Sequence, residues 1–244
     1  MYFLLRHRLA AAILALGIAA GILLTCRRHR VNYWELKNYP PQPGRIVCFG
    51  DSLTHGVGAS APSSTFPVHL ERILQHPVAI YGYPGATTEA ALATLRTNAQ
   101  IRGSVVIVTL GGNDFLRRMP LPDTINNLET IFRLLQERGA LVVYTGVPNG
   151  RTGNYRKLCK RTGVLLVPEI LDGIIGNPAF KADRIHPNDK GYKLIAQRIA
   201  EVLRENLSQE TDSASFPGQS SMPVRGPDKR LSREEALIIF REWI

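Results

Sequence analysis

Short runs of β-branched and aliphatic residues alternate with segments of helical periodicity between residues 45 and 207. The run at 105–110 shows the strand pattern most clearly, because it is continuous and is closed by Gly111 and Gly112. Strands buried on both faces give such continuous runs, and their alternation with helices is typical of a parallel sheet. The predicted strands are residues 46–49, 78–81, 105–110, 141–144 and 164–167. We therefore expect an α/β fold built on a five-stranded parallel sheet.

Four amphipathic segments lie between or after these strands. In the first of them, Leu70, Ile73 and Leu74 fall on one helical face, and in the third, Gly139 follows the last periodic residue as a stop signal. The predicted helices are residues 66–74, 88–97, 125–138 and 192–207. Helices alternating with parallel strands cover both faces of the sheet, so binding sites are expected at the carboxyl ends of the strands.

The chain is basic, with a net charge of +10. Half of this excess lies in residues 1–30, which hold five arginines and no acidic residue. A further basic cluster contains Arg151, Arg156, Lys157, Lys160 and Arg161. No DNA- or RNA-binding motif accompanies these charges, so we interpret them as solvated surface and expect no nucleic-acid partner.

Residues 9–25 are apolar and are flanked by arginines on both sides. This run is at the short limit for a bilayer span and slightly long for a signal-peptide core. We predict that residues 1–30 form an uncleaved signal anchor with a membrane-spanning segment at 9–25. A cleaved signal peptide, a lipoprotein signal ending at Cys26 and a buried core helix are the alternatives.

The C-terminal region differs in composition from the rest of the chain. Residues 208–230 are rich in Ser, Gln, Pro, Gly and Asp, which predicts a flexible linker. Residues 231–244 are predicted to form a short amphipathic helix, opened by a capping box of Ser232 and Glu235. This helix has three possible docking partners: its own domain, another protein, or a membrane.

Three cysteines without regular spacing predict neither a disulfide framework nor a metal site. Cys48 lies in a predicted strand as a small core residue, and Cys159 lies on a basic helical stretch. The histidines also lack ligand spacing. We therefore expect no metal and no cofactor.

Four short motifs contain the residue types needed for acyl transfer. They are Gly-Asp-Ser-Leu-Thr at 50–54, Gly85 in Pro-Gly-Ala-Thr, Gly-Gly-Asn-Asp at 111–114, and Asp-Arg-Ile-His-Pro at 183–187. Each motif alone has a structural explanation as a turn, a loop or a helix cap. Because Ser52, Gly85 and Asn113 each follow a predicted strand, all three are expected at the same edge of the sheet. Their joint occurrence in this order indicates catalysis.

The predicted chemistry is nucleophilic attack by serine. Ser52 follows the first strand, and His186 is the candidate base that takes the hydroxyl proton in the transition state. Asp183 lies three residues before His186, close enough to orient the imidazole through its other nitrogen. The order Ser, Asp, His with the last two nearly adjacent differs from that of trypsin and subtilisin, and Ser52 lacks the G-x-S-x-G elbow of α/β-hydrolases.

These motifs resemble those of the SGNH hydrolases, also called the GDSL esterase/lipase family, over residues 44–207. The resemblance implies a flavodoxin-like three-layer α/β/α sandwich over residues 31–207 and a Ser52, Asp183 and His186 triad. It also implies an oxyanion hole made by the backbone N–H groups of Ser52 and Gly85 and the side-chain amide of Asn113. The chain is most similar to the bacterial exported thioesterases, lysophospholipases and arylesterases, so we expect an anchored domain outside the cytoplasm, or else a secreted protein or lipoprotein.

The substrate is less constrained by the sequence. Close relatives often have an Asn after the second strand and a Ser-Gly-Asp run, whereas this chain has a stiffer and more apolar segment at 80–86. Phe115, Leu116 and Met119 are candidates to line an acyl pocket, or else pack under the next helix. We predict a serine esterase acting on esters or thioesters of acyl substrates, including lipids. A carbohydrate or peptidoglycan O-acetyl esterase and a non-enzymatic anchored interaction module are the alternatives.

Overall fold

Five strands form one parallel sheet in the computed structural model, which describes residues 35–147 and 150–207. The strands are β1 (Ile46–Gly50), β2 (Val78–Gly82), β3 (Val105–Thr109), β4 (Leu141–Thr145) and β5 (Leu165–Val167). Their order across the sheet is β2-β1-β3-β4-β5, and every pairing is parallel. This is the flavodoxin-like doubly wound order, in which the chain reverses its winding direction at β1 and β3. The predicted fold class is confirmed.

The helices follow the strands in turn. They are α1 (Ser52–His55), α2 (Phe66–Leu74), α3 (Thr88–Thr97), α4 (Gly112–Leu116), α5 (Leu121–Glu137), α6 (Thr152–Thr162) and α7 (Asp189–Leu207). Two short 3₁₀ turns lie at Pro62–Ser64 and Pro178–Phe180. The predicted helices at 66–74 and 88–97 have the bounds of α2 and α3.

Two other predicted helices begin earlier than expected. Helix α5 starts at Leu121, with Pro122 in its first turn, where the missing N–H of proline has no intrahelical acceptor to lose. Helix α7 starts at Asp189, because the Asn188 side chain accepts hydrogen bonds from the N–H groups of Lys190 and Gly191. In both cases the apolar periodicity marks only the buried turns and misses a polar first turn.

Helices α3, α5 and α6 cover one face of the sheet around a continuous apolar core. Its members from the strands and helices include Val47, Phe49, Val106, Val108, Tyr144, Leu95, Leu128, Phe132 and Leu158. Strand residues of the opposite parity, such as Cys48 and Ile107, are equally buried and point to the other face. Helices α2 and α7 pack together on that side. Cys48 is completely buried, and loss of hydration raises the pKa of its thiol far above the ordinary value. It is therefore a small residue of the core, with its thiol protonated.

Several predictions concern residues outside the described part of the chain. These are the anchor at 1–30 with its span at 9–25, the linker at 208–230 and the helix at 231–244. Among residues 35–147 and 150–207, no helix has both the length and the apolarity needed to cross a bilayer.

Candidate active site

The carboxyl ends of β1, β2 and β3 bring the first three sequence motifs to one edge of the sheet. Gly50, the last residue of β1, lies in register with Gly82 of β2 and Thr109 of β3. A Cβ at Gly50 would lie 2.3 Å from the Thr109 carbonyl oxygen, so glycine allows β1 and β3 to end side by side. Ser52 follows as the first residue of α1, directly above this junction.

Ser52, His186 and Asp183 form a continuous chain of hydrogen bonds. The Ser52 Oγ lies 3.1 Å from Nε2 of His186. The other ring nitrogen, Nδ1, lies 2.8 Å from Oδ2 of Asp183. Both distances are within the range expected of a nucleophile, its base and the group that orients the base. The predicted association of these three residues is therefore found in the structure.

Asp183 is half exposed, yet the local backbone fixes it. Its Oδ1 accepts hydrogen bonds from the N–H groups of Ile185 and His186, both at 2.8 Å. The hydrogen bond from the His186 ring, followed by these backbone bonds, lowers the pKa of Asp183 to about 2. Asp183 is consequently a carboxylate throughout the neutral range, able to accept a hydrogen bond from the Nδ1–H group of His186 and to stabilise a positive charge on the ring.

The loop that holds His186 is closed on itself and tied to the α7 side of the fold. Lys181 and Pro187 form an isolated antiparallel bridge, and the Ala182 N–H donates to the His186 carbonyl at 3.0 Å. The Tyr192 hydroxyl, at the start of α7, donates to the Val57 carbonyl at 2.6 Å. Because Val57 lies just after α1, this bond links the base side of the site to the serine side.

Two backbone N–H groups at the site, those of Ser52 and Gly85, have no acceptor among the described residues. Gly85 adopts φ = +78°, a left-handed conformation that glycine reaches without the steric cost of a side chain. Unused N–H groups at the end of a sheet are suited to bind a partial negative charge.

Helix α4 places Asn113 between these donors and holds the Gly85 loop. The Asn113 Nδ2 donates to the Ala86 carbonyl at 2.9 Å and to Oδ2 of Asp51 at 3.3 Å. From the end of the same helix, Nη2 of Arg117 donates to the Gly85 carbonyl at 2.9 Å. Two consecutive carbonyl groups of the loop are thus bonded to α4, which fixes the position of Gly85 relative to Asn113.

Sequence reasoning gave no role to the two aspartates inside the motifs, Asp51 and Asp114. Asp114 is fully buried and accepts hydrogen bonds from the N–H and hydroxyl of Thr88 and from the Thr124 hydroxyl. Asp51 is 3% exposed, and its Oδ1 caps α1 by accepting from the Leu53 N–H at 3.0 Å. Asp51 directly follows β1, and Asp114 lies five residues after β3, within α4. The available signal was their place near the ends of buried strands, since a carboxyl group buried there must find hydrogen-bond donors.

Burial also changes the protonation of Asp51. Loss of hydration raises the pKa of its carboxyl to about 7, against the opposing effects of the Leu53 N–H and of His186. The ionised and neutral forms of Asp51 are therefore both accessible near neutral pH, next to the serine.

An apolar cleft of about 200 Å³ opens beside Ser52 and His186. Its apolar walls are formed by Leu53, Phe115, Leu116, Val147, Leu171, Ile175 and Ile185. Phe115 and Leu116 are 42% and 54% exposed, and the guanidinium of Arg151 lies 5.3 Å from the centre of the Phe115 ring. Two of the three predicted pocket residues thus line the cleft, whereas Met119 is not among its lining residues. In the described part of the chain, no group of three or more His, Cys, Asp or Glu residues is arranged to hold a metal ion.

The sequence that forms this site also matches a known protein family. A family model described as "GDSL-like Lipase/Acylhydrolase family" matches residues 48–194, which include every predicted catalytic and oxyanion residue. The chain belongs to the GDSL-like lipase/acylhydrolase family. The resemblance to SGNH hydrolases is confirmed, and this GDSL-family chain is an ester-hydrolysing enzyme.

Individual relatives support the same conclusion. The chain is 28% identical over 179 residues to an arylesterase of Vibrio mimicus, a match that covers 67% of this chain and 90% of the relative. The crystal structure of TesA superposes with a TM-score of 0.63 at 24% identity and covers 67% of this chain and 99% of that one, a likeness of fold. AlinE4, an SGNH-hydrolase family esterase, gives a TM-score of 0.53 at 26% identity over 66% of this chain and 95% of its own.

Proposed function

We propose that this GDSL-family enzyme hydrolyses carboxylic esters or thioesters of acyl substrates with Ser52 as nucleophile. The observation that carries the proposal is the hydrogen-bonded sequence of Ser52, His186 and Asp183, with distances of 3.1 and 2.8 Å. A free hydroxyl is a weak nucleophile, and an imidazole in contact with it removes the proton as attack occurs.

The reaction proceeds through an acyl-enzyme. Ser52 Oγ bonds to the carbonyl carbon while its proton passes to Nε2 of His186, and the Asp183 carboxylate stabilises the resulting imidazolium. His186 then protonates the leaving alcohol or thiol, and the bond to that group breaks. A water molecule, deprotonated by His186, attacks the acyl-serine, and collapse of the second tetrahedral intermediate restores Ser52 and releases the carboxylic acid.

The negative charge on the carbonyl oxygen needs donors that are in place before the reaction. We assign the N–H groups of Ser52 and Gly85 and the amide of Asn113 to this oxyanion hole. The two backbone N–H groups have no acceptor in the described part of the chain, which supports their assignment. Removing one such donor from a serine hydrolase costs about 10²- to 10³-fold in kcat.

The apolar cleft supports an acyl chain as the group bound beside the serine. Its aliphatic and aromatic walls favour the transfer of methylene groups from water, worth about 0.8 kcal/mol for each fully buried CH₂. Known relatives named as esterases are consistent with this substrate class. Such walls offer little hydrogen bonding to a carbohydrate. Hydrolysis of acyl esters or thioesters is therefore preferred, as the proposed function, to hydrolysis of O-acetyl groups on carbohydrate.

The experiment that tests the proposal is hydrolysis of p-nitrophenyl esters from acetyl to palmitoyl by the full chain in detergent. Ser52→Ala is compared with Ser63→Ala, a matched loss of a hydroxyl at an exposed 3₁₀ turn. We expect Ser52→Ala to lose turnover with its thermal unfolding unchanged, since Ser52 is only half-buried, and Ser63→Ala to match the wild type.

The experiment has four informative outcomes. Activity that rises beyond acetyl supports the acyl cleft. Activity on acetyl alone would favour the O-acetyl esterase. Ser52→Ala activity within tenfold of wild type would contradict the assignment of the nucleophile, and complete inactivity of the wild type would favour the interaction module.

We also propose that residues 9–25 anchor the enzyme in a membrane with its catalytic domain outside the cytoplasm. The length and apolarity of this run support a membrane segment. The resemblance to exported bacterial hydrolases supports a catalytic domain outside the cytoplasm. Expression in a bacterium, followed by alkaline extraction of membranes and protease treatment of intact spheroplasts, tests it. Retention in the membrane with a protease-accessible domain is expected, and recovery in the cytosolic fraction would contradict it.

A further inference from the structure

Asn113 has both hydrogens of its side-chain amide engaged in the absence of substrate. One points to the Ala86 carbonyl at 2.9 Å, a normal hydrogen-bond length. The other points to Oδ2 of Asp51 at 3.3 Å, slightly longer than the usual range for an N–H donor. The shorter bond anchors the amide, and the longer one leaves a hydrogen that a substrate oxygen is able to share or capture.

These two acceptors also decide which way the amide faces. A flipped Asn113 would place its Oδ1 against a carbonyl oxygen and a carboxylate oxygen, neither of which has a hydrogen to donate. The short bond to the Ala86 carbonyl disfavours the flipped amide whatever the protonation of Asp51. Asp51, as an acceptor at Oδ2, adds a second constraint that fixes the direction of the other amide hydrogen.

Protonation of Asp51 would remove the second constraint. Its Oδ1 accepts the Leu53 N–H at 3.0 Å, so an added proton is placed on Oδ2, the oxygen that faces Asn113. An O–H donor on Oδ2 opposes the amide N–H instead of accepting from it. The neutral carboxyl thus leaves Asn113 held by the Ala86 carbonyl alone, and the second N–H loses its fixed direction.

The surroundings of Asp51 make both forms accessible. Burial raises the pKa of its carboxyl to about 7, and the nearby Asp114 carboxylate on α4 acts in the same direction. The Leu53 N–H and His186, on the loop before α7, act in the opposite direction. Tyr192 on α7 and Tyr144 on β4 also lie near it: burial, followed by nearby charges that include Asp51, raises the pKa of both hydroxyl groups.

We propose that Asp51 is a positioning residue, which as a carboxylate holds the Asn113 amide nitrogen toward the oxyanion and as a neutral acid releases it. This inference rests on the proposed function, because it concerns one donor of the assigned oxyanion hole. Asp51 does not touch the reacting atoms in this role. It acts on the rate through Asn113.

The first test is the pH dependence of the kcat ratio between wild type and Asn113→Ala. His186 must lose its proton in both proteins, so its titration cancels from the ratio. We expect a ratio of about 10²- to 10³-fold at pH 9, the effect of one lost oxyanion donor. At pH 5.5, where a carboxyl with a pKa of about 7 is only roughly 3% ionised, we expect it to fall to about 3- to 30-fold. A ratio that stays constant across this range would overturn the proposal.

The second test uses Asp51→Asn, which keeps an acceptor for the Leu53 N–H and presents an NH₂ donor to Asn113. This variant mimics the neutral carboxyl at every pH. We expect its kcat at pH 9 to fall about as far as that of Asn113→Ala, with KM changed less than about threefold. Adding Asn113→Ala to Asp51→Asn should then cost less than about threefold, whereas multiplicative losses would show that the two residues act independently.

The outcomes separate this inference from the proposed function. Retained activity in Ser52→Ala would remove the proposed nucleophile and the hole with it. Loss of activity in Ser52→Ala together with a pH-independent ratio would overturn only the role of Asp51. If Asp51→Asn fails to fold, the ratio between wild type and Asn113→Ala still decides, because neither protein is altered at Asp51.

Discussion

At the scale of single residues, Asp183 uses its two carboxylate oxygens for different tasks. One oxygen is held by the backbone N–H groups of Ile185 and His186, and the other faces the His186 ring. Within the described residues, the backbone thus fixes the carboxylate rather than the imidazole. The orientation and tautomer of His186 consequently depend on what Asp183 presents to Nδ1.

Asp183→Asn is expected to lower kcat by about 10³- to 10⁴-fold while the protein remains folded. The asparagine oxygen keeps both backbone hydrogen bonds, so its NH₂ group faces Nδ1 and forces the proton onto Nε2. Nε2 then has no lone pair with which to accept the Ser52 proton. Steady-state kinetics with the best p-nitrophenyl ester measure the loss, and circular dichroism checks the fold. A loss of less than tenfold would contradict this role for Asp183.

The sequence was sufficient to find the proposed catalytic residues but not the roles of the two buried aspartates, Asp51 and Asp114. Ser52, Asp183 and His186 were recognisable because their residue types and order are rare in combination. Asp51 and Asp114 stood inside the same motifs, but a carboxyl after a strand has many explanations until its donors are known. Only the three-dimensional arrangement shows that Asp51 meets Asn113, which lies 62 residues further along the chain.

At the scale of elements, the five-residue helix α4 connects the site to the rest of one face. Its Asn113 and Arg117 hold the Gly85 loop, and its Asp114 reaches the first residue of α3, Thr88. Its last two residues, Phe115 and Leu116, form part of the cleft wall. One short element therefore contributes a proposed oxyanion donor, a buried structural carboxylate and part of the cleft wall.

Thr88→Val is expected to destabilise the fold by about 1–3 kcal/mol, because it leaves the buried Oδ1 of Asp114 with only the longer bond from the Thr124 hydroxyl, at 3.4 Å. Thr88→Ser is the matched control, since it keeps the hydroxyl and removes only a methyl group. Urea denaturation followed by fluorescence measures both variants. Equal midpoints for Thr88→Val and the wild type would contradict the importance of this bond.

Leu116→Ala is expected to lower kcat/KM for a long-chain ester about three- to tenfold and to leave the acetyl ester unchanged. The leucine lines the cleft, and its loss removes apolar contact from the acyl chain alone. Ile80→Ala is the control, because Ile80 is a comparably exposed aliphatic residue that is not among those lining the cleft. The ratio of octanoyl to acetyl hydrolysis measures the effect, and a similar fall in both variants would count against the cleft.

Most long elements were predictable at this scale, and the shortest helices were not. Helix α6, with 11 residues, is not among the four predicted helices. Each predicted strand has a counterpart, and α2 and α3 have the expected bounds, because several apolar residues at regular spacing define them. Helices α1 and α4 contain four and five residues, too few for any periodicity to appear. Both helices begin shortly after a strand of the assembled sheet has ended. In α1, for example, the Asp51 side chain caps the N–H of Leu53.

At the scale of the whole molecule, the buried Asp51 makes stability depend on pH. The pKa of its carboxyl rises from 3.8 to about 7 on folding, so the folded state binds this proton more tightly than the unfolded state. The associated stability is complete below about pH 4 and is lost as the pH rises to 7. The shift corresponds to roughly 4 kcal/mol as an upper figure.

Asp51→Asn is therefore expected to unfold at a higher temperature than the wild type at pH 8 and at nearly the same temperature at pH 4. Asp183, whose lowered pKa acts in the opposite direction at acid pH, is present in both proteins and does not alter the comparison. Differential scanning calorimetry across this range measures the gap. A gap of the same size at both pH values would contradict the burial of a titrating carboxyl. Together with the kinetic tests, this calorimetric comparison would show whether Asp51, which we propose positions Asn113, also lowers the stability of the fold.

Ser52 and its base are 134 residues apart in sequence, and α7 follows His186 almost at once. During synthesis, Ser52 leaves the ribosome early, together with β1. His186, its proposed base, emerges only shortly before α7. The same late segment supplies the helix that packs against α2. The proposed triad therefore cannot form in a nascent chain until the segment that carries His186 has left the ribosome.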